Sequence, residues 1–171
     1  MEFQDVIEKR HSVRSYENKE IEKEKLMHIL EATNRAPSAG NLQSYRIHRV
    51  ADQEKKEELM IASNEQEALL SAPVVLVFAA NETEAASKYG ERGAALFSVQ
   101  DATIACAYAQ LAAADIGLGS VWIGAFDPLE VSRICDLESF EVPVAILPIG
   151  YPAEEPRETS RKTLDEIVRK A

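Results

Sequence analysis

Cysteine is nearly absent: Cys106 and Cys135 are the only two in 171 residues. They stand far apart, and neither has a histidine or second cysteine at ligand spacing, which leaves no disulfide framework and no zinc site to build. Buried, reduced thiols are the reading for both. Long apolar runs are lacking too. The longest, residues 72–80, falls far short of the ~20 residues that cross a bilayer. The chain opens with no charged stretch followed by an apolar one, so a cytoplasmic location with no membrane partner is the expectation. Basic charge is scarce, with 19 Lys and Arg against 29 Asp and Glu and a net charge of -10. That balance opposes the phosphate neutralisation that nucleic-acid binding requires, and no long basic stripe offsets it, which excludes nucleic acid as a partner.

Several catalytic patterns are missing as well. Gly-x-Ser-x-Gly, His-Glu-x-x-His and Gly-x-x-x-x-Gly-Lys-Ser/Thr do not occur, which removes the hydrolytic, metal and phosphoryl-transfer readings those spacings support. His11, His28 and His48 show no ligand spacing. Gly117-Leu118-Gly119 follows a helix and precedes a strand, the reverse of the order that aims helix amides at a pyrophosphate, and reads as a helix terminator.

What is present is the composition of a globular chain, with 46% apolar residues in periodic runs. At this length a single domain over residues 1–171 is expected. Phe3, Val6 and Ile7 have helical spacing up to Lys9, and a donor-rich loop follows. Leu26, Ile29, Leu30 and Thr33 mark an amphipathic helix over residues 22–35, which Pro37 ends. Residues 37–43 are rich in turn formers and carry two side-chain amides, an exposed loop. Residues 45–50 read as a strand and Asp52 caps a helix to about residue 63. Residues 74–78 form a continuous apolar run of the kind found in strands buried on both faces. Residues 81–93 read as polar and irregular. An alanine-rich helix covers residues 94–116, a short strand 120–123, and Asp127-Pro128-Leu129-Glu130 opens another helix. Residues 142–149 form a second buried strand, with Pro143 and Pro148 near its ends or on an unpaired side. Thr163 and Glu166 have capping-box spacing and open a last short helix. The sum is an α+β fold, a small sheet wrapped by helices.

Against the acidic background stands a set of donors suited to a phosphate and a polar heteroaromatic ring: Arg10, Ser12, Arg14, Asn41, Gln43, Arg161 and Lys162. Four blocks hold them or flank them: residues 10–16 (RHSVRSY), 36–43 (APSAGNLQ), 117–126 (GLGSVWIGAF) and 156–167. Together, and in this order, they resemble the FMN-dependent nitroreductase family over nearly the whole chain. The resemblance implies a mostly antiparallel sheet in a domain-swapped homodimer with FMN at the interface. Arg10 and Ser12 would hold the phosphate and ribityl end, with His11 beside them. Arg14 would face flavin N1 and the C2 carbonyl, where a guanidinium favours the reduced anionic ring. Pro37, Ser38, Ala39, Asn41 and Gln43 would come from the other subunit. Ile123, Gly124 and Ala125 would bring backbone close to flavin N5, with a plain strand-end turn as the alternative for the last two. Asn64 would meet the pyrimidine edge, and Arg161 the phosphate. Lys162 is either its helper or simply solvated. The alanine-rich helix either packs on its symmetry mate or reflects helix propensity alone.

The chain departs from the family in three places. Ser44 and Tyr45 stand where Pro and an aromatic, usually Trp, are common, which implies a less rigid loop. Glu67 replaces a base found in some larger members. The stretch 81–93 is short, which implies a more open substrate face. The activity implied is ping-pong hydride transfer from NAD(P)H through FMN to an oxidised small molecule such as a nitroaromatic or quinone. Reductive dehalogenation, flavin fragmentation and non-catalytic flavin binding are the alternatives on the same scaffold. No side chain stands out as a general acid or base, as expected where a cofactor carries the chemistry.

Overall fold

The apolar run after Pro73 becomes the strand on which the helices pack. In the computed structural model, which describes residues 1–155, 157 and 159–170, the helices are α1 (Phe3–Lys9), α2 (Lys23–Thr33), α3 (Gln53–Ala62), α4 (Ala68–Ser71), α5 (Glu82–Arg92), α6 (Ser98–Asp115), α7 (Pro128–Ile134) and α8 (Leu164–Ile167). The strands are β1 (Tyr45–Val50), β2 (Val74–Asn81), β3 (Gly119–Ser120) and β4 (Glu141–Gly150). They form a sheet of order β1-β2-β4-β3 in which every neighbouring pair is antiparallel. This is the expected α+β arrangement.

All eight residues of β2 are buried, because both faces of the sheet are covered. Leu76, Phe78 and Ala80 point to one face, where they meet Leu26 and Ile29 of α2 and the small side chains Ala102, Ala105, Cys106 and Ala109 of α6. Val75 and Val77 point to the other, with Leu59 of α3, Leu69 of α4 and Val131 and Ile134 of α7. The period-2 alternation of a strand thus feeds two half-cores from one segment. Each fully buried Phe, Leu or Val contributes about 1.5–3 kcal/mol. Burial pushes the Cys106 thiol far above its ordinary value and that of Cys135 up to about 11, so neither is an activated nucleophile.

The helix starts follow their chemistry. Asp52 accepts from Lys55 N–H and Asp127 from Leu129 and Glu130 N–H, and Thr163 and Glu166 close a capping box. Pro148 pairs with Val75 of β2 at a position whose hydrogen-bonding groups face away from β2, between Ile146, which exchanges hydrogen bonds with Ile123, and Gly150, paired with Gly119. Pro143 sits beside the bulge where the β2–β4 register shifts.

Three sequence expectations need correction. Residues 81–93 are not irregular: Asn81 accepts from Glu84 N–H, and the acidic first turn of Glu82 and Glu84 suits a helix N-terminus, so α5 forms there. Helix α5 breaks at Gly90 (φ 58°) and passes through a π-helical turn at Gly93–Phe97 before α6 begins at Ser98, four residues later than expected. The strand 120–123 is cut to Gly119–Ser120 plus one bridge from Ile123 to Ile146. The register that pairs Ser120 with Ile149 sets Val121 opposite Pro148, which has no N–H to give.

The outer edge of β3 is taken by residues 12–17. Ser12 bridges Ser120 in parallel, Val13 N–H donates to the Ser120 carbonyl (3.0 Å), and Tyr16 bridges Pro152 antiparallel. This seat depends on Gly119, where a Cβ would fall 2.7 Å from Val13 Cγ2 and 2.8 Å from Val13 Cβ. Gly119→Ala is therefore expected to destabilise the protein by about 1–3 kcal/mol in urea unfolding. Val13→Ala in the same chain should recover part of that loss as a favourable coupling, and strict additivity would contradict the contact.

Candidate functional site

The seat on β3 fixes where the first donor block points. Arg10 caps the end of α1, its N–H bonded to the Val6 carbonyl at 2.9 Å. From there the chain runs beside Gly119 and Ser120, so Arg10 and His11 gather with Gly117, Ser120 and Glu154 around a pocket of about 270 Å³. Tyr16 locks the segment from below: its hydroxyl donates to the Val13 carbonyl (2.6 Å) and lies 3.1 Å from that of Pro148. Burial, and then the Glu154 carboxylate, push the Tyr16 phenol far above its ordinary value, so it remains a donor. Val13 and Tyr16 are buried, while Ser12 and Arg14 are exposed and Arg10 and His11 half-buried. Burying Val13 leaves its neighbours Ser12 and Arg14 facing outward.

The Arg10 and Arg14 guanidiniums enter no ion pair among the described residues. By contrast, Arg46 is spent on Glu84, and Arg133 on Glu58 and Glu130. Arg14 gives only its backbone N–H, to the Glu154 carboxylate. In a chain this acidic, unspent guanidiniums held on a fixed edge are suited to an anion.

A second group assembles at the far end of the same edge. Because Ser12 and Ser120 pair in parallel, the chain beyond Ser120 runs the same way as the chain through Arg14, toward Ile123, Gly124 and Ala125. Ile123 is buried and Gly124 and Ala125 are exposed. Asn64, in a left-handed conformation (φ 55°), donates from Nδ2 to the Ala125 carbonyl at 3.2 Å. Asp127 N–H donates to the Ala62 carbonyl at 2.8 Å. The turn is thus tied to the end of α3, and Asn64 does stand beside Gly124 and Ala125.

The other predicted residues lie apart from these. Pro37, Ser38, Ala39, Asn41 and Gln43 form a loop fastened to α6, with a 3-10 turn at Ala39–Asn41 and left-handed φ at Gly40, Asn41 and Gln43. Gln43 N–H donates to Ser38 Oγ (3.0 Å), and the Gln43 amide to the Asn41 carbonyl. Among the described residues this loop makes no hydrogen bond to residues 10–14 or 123–125. Arg161 and Lys162 are exposed on the tail that ends in α8, and Pro156, which opens the fourth sequence block, lies outside the described residues. Glu67 is an exposed residue at the start of α4. No group of three His, Cys, Asp or Glu side chains that could hold a metal occurs among the described residues. No helix among them is long and apolar enough to cross a membrane.

The sequence profile of the nitroreductase family matches residues 7–66 and 60–151. The chain belongs to the nitroreductase family. It is 34% identical over 187 aligned residues to an NADH dehydrogenase of Thermus thermophilus, covering 94% of this chain and 91% of that one. It is 32% identical to an FMN reductase [NAD(P)H] of Bacillus subtilis, with 84% of this chain matched to 63% of that longer protein. The fold superposes on the solved structure of NfrA2 from B. megaterium with a TM-score of 0.91 at 29% identity, over 99% of this chain and 74% of that one.

A residue missed in the sequence is central to this nitroreductase's loop. Asp101 of α6, only 2% exposed, accepts from Ala39 N–H (2.8 Å), from Ser44 Oγ–H (2.5 Å) and from Ser44 N–H (3.4 Å). Ser44 therefore does not leave the loop slack, as its place in the family pattern implied; its hydroxyl and N–H tie the loop to a buried carboxyl. The signal in the sequence was a lone acid in an alanine-rich helix face.

Asn64 offers a direct test of the second group. Asn64→Ala loses the bond to Ala125 and strains a left-handed residue, a combined cost of about 1–2 kcal/mol. Asn64→Gly loses only the bond and should cost less in urea unfolding. Equal losses would contradict the assigned backbone strain.

Proposed function

We propose that this nitroreductase binds FMN between two copies of the chain and passes hydride from NAD(P)H to an oxidised small molecule by a ping-pong route. The enzyme is an NAD(P)H-dependent FMN oxidoreductase. The observation that supports this geometry is that, among the described residues, the loop 37–43 makes no hydrogen bond to residues 10–14 or 123–125 and is fastened to α6 instead. The pocket beside Arg10 is about 270 Å³, under the ~300–1,000 Å³ of small-molecule sites. A flavin nucleotide needs further walls, and the loop 37–43 and the tail are the parts left to supply them from a partner.

Several surfaces support the partner. Phe3 is 70% exposed and Ile7 and Tyr108 are exposed beside it on α1 and α6, while Leu164, Ile167 and Val168 of the tail are all more than half exposed. Clusters of exposed large apolar side chains mark contact surfaces. The residues present fit the cofactor. Among the described residues the side chains of Arg10, at the end of α1, and of Ser12 and Arg14, on the edge of β3, have no bonded partner, and the side-chain-free Gly124 stands next to the Asn64-braced Ala125.

When bound, FMN would supply the redox chemistry. The protein's task is placement and charge. Arg10 and Ser12 would hold the phosphate and ribityl end, with Arg161 and Lys162 as added cations. Arg14 would stabilise negative charge on the ring's pyrimidine side, and the backbone at Gly124 and Ala125 would approach N5. Asn64 fixes that turn and Tyr16 fixes the backbone of the arginine segment, while the short stretch 81–93 would leave the substrate face more open. Nitroaromatics and quinones are the acceptors proposed, and a cytoplasmic location accords with two free cysteines.

The purified protein reconstituted with FMN is expected to show flavin absorbance that bleaches on anaerobic addition of NADH or NADPH and returns on addition of menadione. Bound flavin that neither nucleotide bleaches would sink the NAD(P)H half of the proposal. Arg10→Ala is expected to weaken FMN binding at least about tenfold, since a charge-assisted phosphate contact is worth ~1.5–3 kcal/mol.

A further inference from the structure

We propose that Asp101 is a positioning residue for the flavin: it presets the loop 37–43 within each protomer, before any partner or cofactor arrives. The inference rests on the flavin reading above and adds a residue to it. Loop 37–43 has little to hold it by itself. Gly40, Asn41 and Gln43 all take left-handed φ, conformations that cost Asn and Gln energy and persist only where the surroundings impose them.

The surroundings converge on Asp101. Its Oδ1 takes the Ala39 N–H at 2.8 Å, and its Oδ2 takes the Ser44 hydroxyl at 2.5 Å and the Ser44 N–H at 3.4 Å. One carboxyl therefore grips the loop on both sides of the strained residues. Ser44 is 0% exposed, and its carbonyl accepts from Asn81 N–H at 2.9 Å. Asn81 in turn caps α5. The C-terminal part of α5 closes the loop from above, for a Cβ on Gly40 would fall 2.5 Å from Tyr89 Oη and 2.6 Å from Lys88 Nζ.

The chemistry explains why an acid is used. A backbone that must offer groups to a cofactor outside the protomer cannot be stabilised by the contacts that the cofactor will later make. A buried carboxyl with several acceptor sites satisfies loop donors without covering the loop's outer face. Fixing the loop in advance removes an ordering cost from binding.

The test uses the full-length protein. Hydrogen–deuterium exchange is followed in the peptide spanning residues 37–44 without FMN, FMN affinity is read by fluorescence quenching, and the visible spectrum of bound flavin is recorded. Asp101→Ala is expected to speed exchange of that peptide and weaken FMN about tenfold, from the loss of charged hydrogen bonds. It should also shift the flavin band, while exchange in residues 103–113 is unchanged. Asp101→Asn keeps an acceptor for Ala39 and gains a donor for Ser44 Oγ, and should restore affinity to within about threefold. Ser44→Ala alters no residue of α6 and decides the matter if Asp101→Ala does not fold; it is expected to loosen the same peptide and weaken FMN. Wild-type FMN binding with exchange and affinity unchanged in Ser44→Ala overturns the role of Asp101 alone. So does an Asp101→Ala protein that is less stable but keeps the wild-type flavin band and affinity. A wild-type protein that does not quench FMN overturns the flavin reading itself.

Discussion

The architecture depends on one seating: residues 12–17 lie in the gap between β3 and the chain that leaves β4. Three backbone links make it, from Val13 to Ser120, from Glu17 to Tyr151 and from Ala153 to Ser15, each 2.9–3.0 Å long. Gly119 gives the room and Tyr16 the bolt. Because neighbouring side chains on extended backbone point to opposite sides, burying Val13 turns its neighbours Ser12 and Arg14 outward. The backbone of the donor block thus stands on the edge of a packed sheet, which removes a backbone ordering cost from meeting an anion.

Two further fastenings use the same logic. Asn64 ties the turn at Gly124 and Ala125 to α3, and Asp101 ties the loop 37–43 to α6. Each spends a polar group inside the protomer to leave backbone free outside it. Under the proposed dimeric flavin site, each of these fastened parts would meet its complement from a second copy.

Much of this was legible in the residues. A continuous apolar run placed the strand around residues 74–78, a second buried-looking segment that around 142–149, and helical spacing most helices, because a sheet covered on both faces and helices packed on one face demand those patterns. The donor set of Arg10, Ser12 and Arg14 stood out against the acidic composition. What was not legible depended on contacts distant in sequence. Residues 81–93 looked irregular because their charged side chains hide a helix that Asn81 starts and Gly90 breaks. The strand at 120–123 is shortened by Pro148, a residue on another strand. Asp101 stood out only as an acid on an alanine-rich helix face, and its purpose was hidden because its partners lie 57 and 62 positions away. Ser44 implied slackness only while its acceptor was unknown.

The central claim is that the arginine edge of one protomer and the loop of the other build one flavin site. Mixed dimers test it most directly, joining a protomer with Arg10→Ala and Arg14→Ala to one with Gly40→Val, which strikes Tyr89 and deforms the loop. Each substituted homodimer should bind no FMN. The mixed dimer should bind one FMN per dimer, because one of its two sites combines an intact edge with an intact loop. A mixed dimer that binds no FMN would place edge and loop in the same protomer's site and contradict the account.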